Sequence, residues 1–162
     1  MKRMMRLSVF SLLLCLFSVL LLAGCGEEKS GSTISEPEIT GDYLAEEYSQ
    51  QLITDGAETM LGSVDIEKDG NSYKVHIAEK EVVPSSDYEE GYYIADTNVS
   101  KDVTLGEDQR IACLHDGELV VETADHFIKE HANDSEQLYT VYLMGDSAEL
   151  ILGTDPKDLE LK

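Results

Sequence analysis

Basic residues are scarce in this 162-residue sequence, which has 12 Lys and Arg against 33 Asp and Glu and a formal charge of −21. Nucleic-acid binding needs clustered basic side chains that neutralise phosphates, and so few scattered bases cannot form such a cluster. The same sign of charge opposes electrostatic attachment to anionic lipid head groups. The composition therefore predicts that nucleic acid is not a partner.

Motifs that hold metals, phosphates or cofactors are also missing. The sequence has no Cys-x-x-Cys, no His-Glu-x-x-His and no glycine-rich phosphate loop. His126 and His131 lie five residues apart, not the three or four that place two ligands on one helix face. We therefore expect no metal site, no cofactor and no catalytic residue of a known motif, and we predict that the protein is not an enzyme.

The first 24 residues differ from the rest of the chain, because they contain three of the bases and no acid. Residues 1–6 (MKRMMR) precede a 16-residue apolar run at 7–22. A positive start before such a run is typical of a secretory signal peptide. An uncleaved transmembrane helix is the alternative, since residues 7–26 carry no charge. The two acids at 27–28 disfavour it, because they replace the basic or aromatic anchor of a spanning helix.

The apolar run ends in Leu22-Ala23-Gly24-Cys25, which resembles the lipobox of bacterial lipoproteins. The resemblance implies that the Gly24–Cys25 bond is cleaved, that 1–24 is the signal peptide, and that Cys25 is lipidated. Such a protein is held at the extracytoplasmic face of the cell membrane by its acyl chains. The rest of the sequence resembles no family.

Cysteine is rare as well, with three in the whole chain. Cys15 lies in the signal peptide and Cys25 is the expected anchor, which leaves Cys113 alone. No intramolecular disulfide is then possible, so the domain must depend on a packed core.

A change of composition divides the remaining chain. Residues 25–41 are rich in Gly, Ser, Thr and Glu and predict a flexible tether, which leaves 42–162 as one acidic domain. Apolar residues then recur every four positions, at Leu44, Tyr48 and Leu52. This spacing predicts an amphipathic helix with Asp42 as its N-cap and Gly56 near its end.

Alternating apolar and polar residues predict strands at 60–67 and 73–83, joined by a tight turn at 68–71. Shorter strands are predicted at 91–95, 110–114, 119–121, 138–144 and 148–152. Thr123 is expected to cap a helix at 124–132, and Gly145-Asp146 to form the turn of the last hairpin.

This order of elements predicts an α+β fold. Its sheet would be small, curled and mostly antiparallel, with an N-terminal helix and a short helix before a C-terminal β-hairpin. An OB-like five-stranded barrel fits the same order and stays open as the alternative.

Two patterns resemble catalytic or calcium-binding motifs but have simpler interpretations. Residues 65–70 have the spacing of a calcium loop, yet His76 stands where the loop requires a bidentate Glu, so a hairpin is favoured. Gly145-Asp146-Ser147 resembles the serine motif of hydrolases only in that tripeptide, which a turn explains.

Cys113 and His115 would share a strand face, but at a separation of about 6.5 Å they are too far apart for a hydrogen bond. We expect Cys113 to be a small buried hydrophobic residue. A hydrolase would require Cys113, His115, Asp116 or Ser147 to meet in one cleft.

Tyrosine is concentrated at one place, where Tyr88, Tyr92 and Tyr93 lie among acidic residues. Rigid amphipathic rings beside carboxylates suit contact with a basic peptide or protein. We therefore predict a non-enzymatic, lipid-anchored module of the bacterial envelope that binds a protein or peptide there. A small-molecule or Ca²⁺-binding domain is the alternative, and a cell-wall hydrolase is the third hypothesis.

Overall fold

The computed structural model describes residues 39–131 and 136–159. The expected signal peptide, the Gly24–Cys25 bond and most of the predicted tether lie outside the described residues. In the part of the chain that the structure describes, no helix is long and apolar enough to cross a membrane.

The first helical segment, α1, has three consecutive parts: α-helical Gly41–Tyr43, π-helical Leu44–Tyr48 and α-helical Ser49–Thr54. Thr40 is its N-cap, since its side-chain oxygen accepts a hydrogen bond from the Tyr43 N–H. The prediction that Asp42 caps this helix is therefore wrong. Gly41 is buried against the chain at Leu119, so the helix already begins at this close contact, within the predicted tether.

Six strands follow α1, and their bounds extend most of the predicted segments by a few residues. They are β1 (Glu58–Asp69), β2 (Ser72–Pro84), β3 (Tyr92–His115), β4 (Glu118–Glu122), β5 (Leu138–Met144) and β6 (Ser147–Thr154). A second helix, α2 (Ala124–His131), lies between β4 and β5, and a 3₁₀ turn (Pro156–Asp158) follows β6. The predicted Thr123 cap is confirmed, because its side chain accepts a hydrogen bond from the His126 N–H.

The strands form one mixed sheet in the order β2-β1-β5-β6-β3-β4. β2 also pairs with β3, so five of the strands close into a ring, with β4 at the outer edge of β3. Every pairing is antiparallel except that of β3 with β6. Both predicted hairpin turns are present, with a positive φ at Gly70 and at Gly145.

The predicted strands at 91–95 and 110–114 are the two ends of the single strand β3. This strand bends at two irregularities in its pairing, near which Asn98 and Gln109 adopt positive φ. The residues between these two ends lack the regular alternation that predicts a strand. They are extended because they pair with β2 and β6. Their local sequence could not predict this arrangement.

Apolar side chains form two clusters on the two faces of the sheet. The inner cluster joins all five ring strands to α2 and includes Ile77, Ile111, Phe127 and Val141. The outer cluster packs α1 on β3, β5 and β6 through Leu44, Leu52, Ala112, Tyr142, Leu150 and Leu152. Of the predicted apolar stripe of α1, Leu44 and Leu52 are buried and Tyr48 is half-buried.

The C-terminal end of β2 and the N-terminal end of β3 continue beyond the ring as a two-stranded ribbon. We call this ribbon, residues 80–96, the arm. The pairing of β2 with β1 stops at Glu79, whereas its pairing with β3 continues to Pro84. Within the described residues, the strands of the arm therefore pair only with each other.

Candidate functional site

The arm carries the predicted tyrosine surface. The rings of Tyr88 and Tyr93 stack with centroids 5.4 Å apart, and the two residues are 53% and 39% exposed. Tyr92 is half-buried and pairs with Pro84. Because neighbouring residues of a strand point to opposite faces, the structure brings together two of the three predicted tyrosines.

The arm that carries this tyrosine pair is strongly acidic in sequence. The arm contains five acids, Glu81, Asp87, Glu89, Glu90 and Asp96, against the single base Lys80. Lys80 forms an ion pair with Asp96 across the strands. The exposed Ile94 adds apolar surface to the same ribbon. The arm thus offers aromatic contact area within a negative field.

A second group of side chains lies where β4 runs into α2, and we call it the Glu122 cluster. Its members are Cys113, His115, Glu122, His126 and His131. Glu122 ends β4 and its side chain is only 3% exposed. Cys113 and His115 come from β3, whereas His126 and His131 come from α2.

The two carboxylate oxygens of Glu122 have different partners. His115 Nε2 donates to Oε1 at 2.6 Å, and His126 Nδ1 donates to Oε2 at 2.9 Å. His131 Nε2 lies 3.5 Å from Oε2. That nitrogen is buried and has no hydrogen bond with good geometry among the described residues.

The surroundings of Glu122 shift its pKa in opposing directions. Burial alone raises the pKa, but hydrogen bonds from His126 and His115 and the nearby His131 outweigh burial and lower it. The carboxylate is therefore ionised at neutral pH. A buried anion in contact with three imidazoles is an arrangement that can hold a cation.

Cys113 lies at the inner side of the Glu122 cluster and is fully buried, as its sequence context predicted. Burial first, and the Glu122 carboxylate second, raise the pKa of its thiol to about 12. A thiol without solvent access and with so high a pKa is a poor nucleophile. These properties disfavour the hydrolase hypothesis at Cys113.

The other predicted motifs lie apart from the Glu122 cluster. Asp69 belongs to the segment 65–70 that has the spacing of a calcium loop. It forms an ion pair with Lys74 across the predicted hairpin. Ser147 lines a different surface cavity with Thr104, Asp108 and Glu149. Asp116 lies in the turn between β3 and β4, where its φ is positive.

Sequence reasoning missed Glu122 as a site residue, although two signals pointed to it. The Asp116-Gly117 turn pairs His115 with Glu118, and Ile111 with Glu122. Every second residue then shares a face, which places Cys113 and His115 on the face of Glu122. His126 also follows Glu122 by four residues. The five-residue spacing of His126 and His131 disfavours a shared helix face, yet both side chains reach the Glu122 carboxylate.

Neither protein-family models nor curated proteins nor solved structures gave a match to this chain.

Proposed function

We propose that this chain is a lipid-anchored protein of the bacterial cell envelope that binds a basic protein or peptide through the arm. The lipobox-like segment at Leu22–Cys25 supports an anchor at the extracytoplasmic face of the cell membrane. The excess of acids supports a domain that stands off an anionic lipid surface. The mature protein in this proposal has a binding role and catalyses no reaction.

The ring of strands is, in this proposal, an OB-like barrel. Its order, its single parallel pairing between β3 and β6, and the position of α2 before the last hairpin all support that assignment. OB-folds bind their ligands on the face of the second and third strands. The arm extends these two strands, so it continues a surface that this fold class uses for binding.

The stacked pair of Tyr88 and Tyr93 is the observation that carries the proposal. Two stacked rings are rigid, so the tyrosine side chains lose little conformational entropy when a partner binds to them. Their faces attract Lys and Arg through cation–π contact, and the arm acids attract the same side chains at longer range. A segment with basic residues fits both features, whereas an acidic partner or a nucleic acid is repelled.

Site-specific photo-crosslinking in the native host tests this proposal. A photoreactive residue at position 88 of the full-length protein should capture a partner through a basic segment, identified by mass spectrometry. Position 53 is the control, because Ile53 is 48% exposed but lies on α1. Identical products from both positions, or an acidic partner segment, would contradict the proposal.

Substitutions then test the tyrosines themselves. The double variant Tyr88→Ala/Tyr93→Ala should weaken binding of the captured partner at least about 10-fold, as expected for aromatic hot spots. Tyr43→Ala is the matched control, since Tyr43 stacks on Tyr48 elsewhere in the molecule. Equal affinities of both variants would contradict the role of the arm.

The lipid anchor needs a separate test. Mass spectrometry of the mature protein from its native host should find an amino-terminal Cys25 that carries a diacylglyceryl group. An intact amino terminus at Met1 would rule out the proposed processing.

A further inference from the structure

The Glu122 cluster brings three different metal-ligating groups together. One atom each from Cys113 (Sγ), Glu122 (a carboxylate oxygen) and His131 (a ring nitrogen) lie within 4.8 Å of one another. The three residues come from β3, the end of β4 and the end of α2, so the fold and not a local motif assembles them.

We propose that Cys113, Glu122 and His131 form a binding site for a divalent transition-metal ion, best matched by Zn²⁺. Thiolate, imidazole and carboxylate are the three side-chain types that Zn²⁺ takes in proteins. A set that mixes sulfur and nitrogen with one oxygen disfavours Ca²⁺ and Mg²⁺, which prefer oxygen alone. The proposal departs from the expectation drawn from sequence that no metal binds, and it is independent of the proposed role of the arm.

The separation of two of the donors fits a tetrahedral ion. Glu122 Oε2 lies 3.5 Å from His131 Nε2. Metal–oxygen and metal–nitrogen bonds of about 2.0 Å at a tetrahedral angle place two donors about 3.3 Å apart. The buried Nε2 of His131 has no well-formed hydrogen bond among the described residues, and a metal bond would satisfy it.

Burial and charge also favour the ion. A bound divalent cation would compensate the charge of the buried Glu122 carboxylate directly. When the ion binds, the Cys113 thiol releases its proton to solvent and the sulfur–metal bond forms in its place. A bound divalent ion overcomes the high pKa of the thiol, because a coordinating thiol is deprotonated outright.

The two remaining histidines have places around the proposed ion. His115 holds Oε1, the carboxylate oxygen on the far side from His131, and so orients the ligand. His126 contacts the same oxygen as His131 and is half-exposed. Glu122 and His126 line a surface groove with His115, Val120 and Thr123, so the cluster is open to solvent on this side.

Cobalt substitution of the full-length protein tests the site directly. After chelation and dialysis, Co²⁺ should bind with a stoichiometry of one and produce the thiolate charge-transfer absorption and the intense visible bands of a tetrahedral site. Zn²⁺ should displace Co²⁺ and remove both signals. It should also raise the melting temperature, because it binds the folded state alone.

Single variants assign the ligands. Cys113→Ala should abolish the charge-transfer band, and Glu122→Gln and His131→Gln should each weaken Zn²⁺ binding at least about 10-fold. His76→Gln is the matched control, since His76 lies outside the cluster and contacts Asp102. Circular dichroism of each variant without metal distinguishes loss of the site from loss of the fold. For a variant that fails this check, His115→Gln replaces it and should weaken Zn²⁺ binding by orienting Glu122 less well.

Three results would overturn the proposal. The first is a Co²⁺ spectrum of the wild type without thiolate charge transfer. The second is unchanged Zn²⁺ affinity in the folded Glu122→Gln or His131→Gln variants. The third is an equal loss of affinity in His76→Gln, which would indicate nonspecific binding to a strongly acidic protein.

Discussion

The ring and the arm are made from the same two strands but differ in what surrounds them. Within the ring, Val75, Ile77 and Val103 are almost fully buried among residues of other strands and α2. Beyond Glu79, where the pairing of β2 with β1 stops, the strands of the arm pair only with each other among the described residues, and large apolar side chains such as Ile94 are exposed. Burial is thus set by the neighbours that a strand segment has, not by its composition.

This difference predicts that the two regions contribute unequally to the free energy of folding. The ring supplies the free energy of folding, since buried apolar area is its main source. The arm buries little apolar area and should contribute little to that free energy, which is compatible with the recognition role that we propose for it. The following predictions test this division, from the largest expected effect to the smallest.

The largest effect is expected in the inner cluster. Phe127→Ala removes a ring that is 1% exposed and packs against Tyr139 and His131. We expect the free energy of unfolding to fall by about 3–5 kcal/mol, measured by urea denaturation. A loss below about 1 kcal/mol would mean that α2 is not part of the core.

The inner cluster should also be sensitive to alkaline pH through Cys113. Its pKa is raised from 9.0 to about 12 in the folded chain. The unfolded thiol therefore ionises first, and the stability that the buried thiol contributes is intact below pH 9 and lost between about pH 9 and pH 12. On metal-free protein, wild type should lose about 1.4 kcal/mol per pH unit above 9 relative to Cys113→Ala. Parallel curves for the two proteins would contradict this.

Replacing one glycine by alanine in each region compares how closely the ring and the arm are packed. At Gly62, a β-carbon would lie 2.3 Å from the backbone oxygen of Ala78, so the β1–β2 pair must move. We expect Gly62→Ala to cost about 1–3 kcal/mol. At Gly91 in the arm nothing lies within 4 Å, and the positive φ of +81° alone opposes a side chain. Gly91→Ala should cost about 1 kcal/mol, and a larger cost there than at Gly62 would reverse the comparison.

The smallest effect on stability is expected from the aromatic pair of the arm. Tyr88→Ala and Tyr93→Ala should each change the free energy of unfolding by less than about 0.5 kcal/mol, as exposed positions do. The measurement is the midpoint of urea unfolding. A loss of 2 kcal/mol or more, on the order of a core truncation, would show that the arm is a structural element and would weaken its assignment to recognition.

Local signals were sufficient for much of the fold. Alternation located β1 and β2, the turn at Gly70 fixed their hairpin, and the turn at Gly145 fixed the hairpin of β5 and β6. Thr123 could be predicted as an N-cap because its side-chain oxygen bonds a backbone N–H only three residues further along the chain. The middle of β3 was missed, since its extended state depends on partners from β2 and β6 that are distant in sequence.

The candidate sites also differ in how far local sequence could predict them. Tyr88, Tyr92 and Tyr93 could be predicted to share a surface because they lie within six residues, although the sequence did not show that Tyr88 and Tyr93 are the two that stack. The meeting of Cys113 with His131 could not be predicted, because it depends on how α2 packs on the sheet. Spacing rules compare residues along one helix or strand, whereas Glu122, at the end of β4, has partners on the strand β3 and on the helix α2.

The parallel contact between β3 and β6 has a consequence for how the chain reaches its native state. β3 ends at His115, but its ring partner β6 begins only at Ser147, after β4, α2 and β5. No segment that ends before β6 can complete the cycle of pairings, so the ring remains open until β6 is available. Contacts between segments distant in sequence slow the search for the native topology, and on the proposed route to the envelope a newly made chain would therefore have time to pass a translocation channel before the ring closes.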